Sequence, residues 1–280
     1  MVPLATSVGV RMPAILYGTA WKELQTESLV TTAIRQGFRG IDTACQPKHY
    51  DEAGVGRAVA AAANGGLARG DLYLQTKFTP VSGHDPARIP YDATAPLAEQ
   101  VAQSCATSRR NLQTDYLDCL LLHSPLPTRS QTEVVWQAIE ALVDTGHVLQ
   151  PGLSNCYSLD ELEALYRFAR IKPAVLQNRF HAATRYDREL RAFCSDHRIV
   201  YQSFWTLTAN PQLLASPTIA SLAAKYQRTA AQILFRYLTH AGVVPLTGTR
   251  SALHLREDLA IFEFELAAAE RRAIDGLIGA

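Results

Sequence analysis

The sequence predicts an α/β fold of the (β/α)8 TIM-barrel type, with eight parallel strands closed into a ring inside a layer of helices. Three observations predict it. Short apolar runs alternate with longer amphipathic stretches, the runs number eight, and no clear linker divides them. Right-handed strand–helix–strand crossovers close such a set into a barrel. The chain has 280 residues, which suits one barrel of roughly 250 residues, so residues 1–280 are read as a single domain.

The elements follow in order. The first run, residues 14–18, leads to a helical pattern at 26–36, which Gly37 ends. A second run at 40–43 precedes a helix at 52–63, and a third run at 72–76 precedes a helix at 93–112. The run at 117–122 is apolar except for Asp118 and ends in Cys119-Leu120-Leu121-Leu122, as expected of a parallel strand buried on both faces. A helix at 131–145 with Gly146 as its stop leads to the run at 150–153. The next helix, 158–170, opens on Ser158 and Glu161, the spacing of a capping box. Runs at 174–177, 199–203 and 243–246 complete the set, with helices at 185–197, 219–239 and 266–278. A doubly wound open sheet is the alternative, but it would carry a Gly-rich turn after its first strand. The nearest match, Gly54-Val55-Gly56, lacks a third glycine and opens no strand–helix turn.

Composition narrows the function. The net charge is +1 and no basic stripe appears, which argues against a nucleic-acid partner. The five cysteines, Cys45, Cys105, Cys119, Cys156 and Cys194, are odd in number and form no CxxC pair, so they read as free thiols of a reducing compartment. No leader-like N-terminus and no long apolar span is seen, so the expected location is cytoplasmic, away from membranes. The expected state is a monomer or weak homo-oligomer.

In a barrel of this kind, chemistry sits where the strands end. The second run ends at Asp42, the third at Lys77, the fourth at His123, the fifth at Ser154-Asn155 and the sixth at Gln177. Singly, each has a plain reading: a helix cap, a solvated strand-end charge, a satisfied core histidine. Together on one rim they point to a site.

These residues stand in motifs that resemble the aldo-keto reductases. Gly37-Phe38-Arg39-Gly40-Ile41-Asp42-Thr43-Ala44, then Tyr50-Asp51-Glu52 and Val55-Gly56, is similar to that family's signature stretch. Leu74-Gln75-Thr76-Lys77 is similar to its lysine strand, Tyr116-Leu117-Asp118 through Leu122-His123-Ser124-Pro125 to its histidine strand, and Gly152-Leu153-Ser154-Asn155 to its amide-binding strand. Gly18-Thr19 with Trp21, and Phe262-Glu263-Phe264-Glu265-Leu266, extend the resemblance over nearly the whole chain.

The resemblance implies a catalytic tetrad of Asp42, Tyr50, Lys77 and His123, and reduction of an aldehyde or ketone by a nicotinamide cofactor. A phenol is a poor acid near neutrality, so an ammonium beside it is expected to lower its pKa. Asp42 would hold Lys77, and His123 would donate to the carbonyl oxygen. The sequence departs from the family in one place: eight positions separate Asp42 from Tyr50, a longer interval than usual, and counting back from Glu52 lands on His49. Tyr50 is preferred because an imidazole is not a phenol; His49 stays open.

The resemblance also implies a cofactor lying across the mouth, preferably NADP(H), with NAD(H) open. Gly18, Thr19 and Asp42 would border it; Ser154, Asn155 and Gln177 would bind the nicotinamide amide; and one of Ser203, Phe204, Trp205 or Thr206 would lie against the ring. Thr247-Gly248-Thr249-Arg250 resembles the family's phosphate loop, followed by His254 and Asp258 near the adenosine; Arg250 would equally suit a solvated charge before a helix. Leu246 stands where many members carry lysine, which weakens the case for a 2′-phosphate. Trp21, His49, Tyr50, His123 and Trp205 would form the substrate cleft. The short C-terminal segment suggests an open, permissive cleft. Two other readings compete: a barrel that binds NADP(H) without turnover and acts as a redox-sensing partner, and a metal-dependent hydrolase built on Asp42, His123 and His181.

Overall fold

The computed structural model describes residues 4–279. A small antiparallel hairpin comes first, β1 (Leu4–Ala5) and β2 (Arg11–Met12). Eight parallel strands follow: β3 (Leu16–Gly18), β4 (Gly40–Asp42), β5 (Tyr73–Phe78), β6 (Cys119–Leu122), β7 (Pro151–Ser154), β8 (Val175–Arg179), β9 (Val200–Phe204) and β10 (Val243–Thr247). They pair in sequence order, and β10 closes on β3 with Leu246 opposite Leu16 and Thr247 opposite Tyr17. The fold is thus the closed (β/α)8 barrel that the sequence predicts.

The helices are α1 (Thr26–Gln36), α2 (Glu52–Asn64), α3 (Leu97–Leu112), α4 (Arg129–Asp144), α5 (Leu159–Phe168), α6 (Arg188–Asp196), α7 (Pro211–Leu214), α8 (Pro217–Tyr226), α9 (Ala230–His240), α10 (Ala252–Leu259) and α11 (Ala268–Ile278). Gly37 ends α1 in the left-handed region, at φ 115°. Ser158 caps α5 by accepting from the Glu161 N–H, but the reciprocal half of the expected capping box is absent. The single helix expected over 219–239 is two helices, α8 and α9. Gln227 turns left-handed after α8, and Thr229 with Gln232 caps α9 afresh.

Strand alternation sorts the core. Met12, Leu16, Tyr73, Cys119, Leu121, Val175, Val244 and Leu246 fill the barrel interior, and a larger apolar layer joins strands to helices. The Val55-Gly56 motif serves this outer packing: a Cβ on Gly56 would lie 1.9 Å from the Asn111 carbonyl oxygen, so only glycine lets α2 approach the end of α3. Asp118 is also structural, binding Arg69 at 2.7 Å and the Leu74 N–H at 2.9 Å. All five cysteines are free and buried. Among the described residues no helix is long and apolar enough to cross a membrane.

Candidate active site

Of the residues that end the strands, Asp42, His123, Ser154, Asn155 and Gln177 line one cavity of about 800 Å³ at the mouth, and Lys77, bonded to Asp42, lies outside its lining. Its floor is polar. Asp42, at the end of β4, and Lys77, on β5, are almost fully buried. The Lys77 ammonium donates to Asp42 Oδ1 at 2.8 Å, to Oδ2 at 2.7 Å and to the Thr43 carbonyl at 2.8 Å. Those three acceptors match its three protons. Asp42 Oδ1 also accepts from Gln75 Nε2 at 2.7 Å and Gln177 Nε2 at 2.9 Å. Gln202 joins Gln75 and Gln177 beneath them, at 2.8 and 2.9 Å. A buried ion pair needs this much hydrogen bonding to offset its desolvation.

Both candidates in the long loop reach the cavity. The Tyr50 ring lies with its centroid 5.4 Å from Lys77 Nζ and 6.2 Å from the His123 ring. Its hydroxyl has no hydrogen-bond partner among the described residues. The structure departs here from the expected lowering of the phenol pKa. Burial, and then the Asp42 carboxylate, push it above its ordinary value. Tyr50 therefore keeps its proton at neutral pH. His49 stacks on Trp21 with ring centroids 3.7 Å apart, and its buried Nδ1 has no partner.

His123 follows β6 and is held by Thr79, whose Oγ1 lies 2.7 Å from Nδ1. Burial, then the charge on Lys77, push its pKa well below the ordinary imidazole value, so the ring is neutral. A hydroxyl donating to Nδ1 leaves the ring proton on Nε2. Thr79 itself is fixed through its carbonyl, which accepts from Tyr91 at 2.7 Å and lies 2.9 Å from His84 Nε2.

Ser154, Asn155 and Gln177 line the far side. Asn155 donates to the His123 carbonyl at 2.9 Å, and Ser154 donates to the Gln177 carbonyl at 2.8 Å. Phe204 packs on the interior cluster, whereas Trp205, left-handed at φ 54°, lies at the rim with the Arg179 guanidinium 4.3 Å from its ring centroid. Thr206 also lines the cavity. Thr19 and Ser203 do not: both are fully buried, Thr19 donating to the Asp42 carbonyl and Ser203 accepting from Thr206.

At the other end lie Gly18 and the turn after β10. Thr247 donates to Asp258 at 2.6 Å, and burial pushes the Asp258 carboxyl up to about 6. Thr249 Oγ1 lies 3.4 Å from His254 Nδ1. Arg250 donates to the Trp21 carbonyl at 2.5 Å and to Gln25 at 3.3 Å, with no carboxylate partner among the described residues. Leu246 is apolar and nearly buried, as the sequence warned, but Lys22 brings an ammonium to the same turn from the loop after β3 and donates to the Gly248 carbonyl.

Sequence reading missed Lys22, Thr79 and Arg179. Arg179 had a signal: it lies two residues past Gln177 on one strand, hence on the same face. Lys22 follows Trp21 directly but carries no local signal of its role. His181 packs edge-on against Tyr157, and no three metal-binding side chains cluster among the described residues.

A parallel barrel whose strand ends hold a buried Lys–Asp pair, a tyrosine and a histidine, with cations at one end of the cavity, defines a class of nicotinamide-dependent oxidoreductases. The chain belongs to the aldo/keto reductase family, whose model matches residues 14–278. It is 32% identical to an aldo-keto reductase of Mycobacterium tuberculosis over 268 residues, 95% of this chain and 87% of the relative. It is 31% identical to a glyoxal reductase of Bacillus subtilis, covering 96% of this chain and 90% of that one. The solved structure of a Bombyx mori aldo-keto reductase in complex with NADP superposes with a TM-score of 0.83 at 25% identity, covering 98% of this chain and 92% of that chain. The chain is an NAD(P)H-dependent oxidoreductase that acts on carbonyl groups.

Proposed function

We propose that this chain is an NADPH-dependent reductase of small aldehydes and ketones in which Tyr50 is the general acid. One observation carries the reading: the neutral Tyr50 phenol and the neutral His123 imidazole border one cavity above the bonded Asp42–Lys77 pair. A bound nicotinamide supplies a hydride to the carbonyl carbon. Tyr50 passes its proton to the carbonyl oxygen as negative charge develops there. The phenolate left behind faces the Lys77 ammonium, which Asp42 and the Thr43 carbonyl hold in place while Gln75 and Gln177 hold Asp42. His123 donates from Nε2 to the same oxygen and orients it.

The cavity suits a dinucleotide. Amides of Asn155 and Gln177 border one end, Phe204 offers an aromatic face, and Lys22 with Arg250 stands at the other end, neither paired with a carboxylate among the described residues. Two such cations favour the extra 2′-phosphate of NADPH. The NADP complex of the Bombyx mori relative supports the same choice, and the glyoxal reductase relative supports small aldehydes. The non-turnover reading leaned on the long loop, yet that loop brings Tyr50 to the cavity.

Fluorescence titration with NADPH and NADH tests the cofactor, with NADPH expected to bind tighter; equal affinities would remove the preference. Aldehyde-dependent NADPH oxidation tests the acid. Tyr50→Phe should lower kcat by about 10²–10⁴ while NADPH still binds. An undiminished rate in Tyr50→Phe, with loss in His49→Ala, would transfer the role to His49.

A further inference from the structure

We propose that Arg179 is a carboxylate receptor in the substrate half of the mouth, and that the preferred substrates are carbonyl compounds that also carry a carboxylate. This rests on the reductase reading above and adds the substrate class.

Arg179 ends β8, two residues past Gln177, and lines the cavity. Its guanidinium lies 4.3 Å from the Trp205 ring centroid, and no carboxylate among the described residues pairs with it. Its Nε is buried without a hydrogen-bond partner. A buried N–H with no acceptor is costly, and a cationic one more so. Most guanidiniums of this chain avoid that position: Arg69, for example, engages Thr114, Leu72, Tyr116 and Asp118.

The backbone that carries it is also held in place. The Arg179 backbone N–H donates to the Tyr157 hydroxyl at 3.1 Å, which donates to Asn155 Oδ1 at 3.3 Å, and Asn155 donates to the His123 carbonyl at 2.9 Å. Arg179 therefore shares a bonded network with the residue proposed to orient the carbonyl. Lys22 and Arg250 belong to the turn after β10 instead. Among the described residues that line this side of the cavity the one carboxylate, Asp42, is bonded by Lys77, Gln75 and Gln177. An incoming carboxylate finds a planar fork of donors matched to its two oxygens.

The test compares matched substrates, 4-oxobutanoate against butanal, at saturating NADPH. The wild-type kcat/KM should favour the acid, and Arg179→Gln should cut the acid-to-neutral ratio by about ten- to a hundredfold. Arg179→Lys should keep part of the preference. A wild-type ratio at or below one, or a ratio unchanged in Arg179→Gln, overturns the proposal. Calorimetric titration of the NADP-loaded protein with succinate needs no turnover. Succinate binding that Arg179→Gln abolishes upholds the receptor even where no carbonyl is reduced, which separates its fate from that of the reductase reading. Absence of succinate binding overturns it. NADPH affinity is measured in the same variant, and a loss as large as that for the acid would assign the cation to a cofactor phosphate and overturn the proposal.

Discussion

Two ammonium groups are buried at the mouth, Lys77 on the wall formed by β4 and β5 and Lys22 in the loop beside the turn after β10, and their surroundings differ in kind. Lys77 has a carboxylate on two sides and a carbonyl on the third. Lys22 has the Gly248 carbonyl and no paired carboxylate among the described residues, with Arg250 nearby. Burial, and then the charge on Arg250, bring its pKa down to about 8. Even the buried carboxyl of that region, Asp258, is taken by Thr247 rather than by Lys22. The difference teaches what each cation is for. A positive charge compensated within the fold is part of the machinery, whereas one left uncompensated has its anion still to come.

The sharpest way to break this contrast is to remove Lys77. Lys77→Met leaves Asp42 buried with only amide donors, and should cost about 3–5 kcal/mol of stability, read from the denaturant midpoint. Asp42→Asn in the same chain should recover much of it; a single variant as stable as wild type would mean the pair is not buried as described.

Lys22→Met should leave stability nearly intact but weaken NADPH by about ten- to a hundredfold. The pH dependence carries the sign. Phosphate binding needs the ammonium, and the free protein loses that proton as pH rises through about 8, so affinity should fall above pH 8 in wild type. Lys22→Arg should stay flat across the same range. A wild-type affinity constant from pH 7 to 9 would count against Lys22 as a phosphate ligand.

The smallest effect concerns Asp258. Its folded pKa, about 6, is raised above that of a free carboxyl. The protonated form is favoured in the native state, so its contribution to stability is complete below about pH 4 and lost as pH rises through 6. Asp258→Asn should flatten that fall and leave the variant more stable at pH 7, on the order of 2 kcal/mol. An unchanged pH–stability curve between 4 and 7 would show that Asp258 is not desolvated.

The strands and most helices were legible because burial on both faces leaves continuous apolar runs, as at Cys119–Leu122. The break at Gln227 was not, since the apolar pattern of α8 continues through it into α9, and the turn is made by a residue without the usual glycine. Asp42, Lys77 and His123 were legible as polar residues at strand ends. Thr19 and Ser203 were placed near the cofactor by motif, but Thr19 turns its hydroxyl to the Asp42 carbonyl and Ser203 bonds Thr206, and neither lines the cavity.

By itself, the order of apolar runs and polar strand ends determined the barrel and set Asp42, Lys77 and His123 at its strand ends, because periodicity and position along a strand are local properties of the chain; Tyr50 entered only through the motif resemblance. Only the folded structure decided that Lys77 is committed to Asp42 while Tyr50 keeps its proton, that Lys22 reaches the turn after β10 where Leu246 is apolar, and that Arg179 stands without a carboxylate among the described residues. Which charges meet depends on distances between segments far apart in sequence, and no local pattern encodes them.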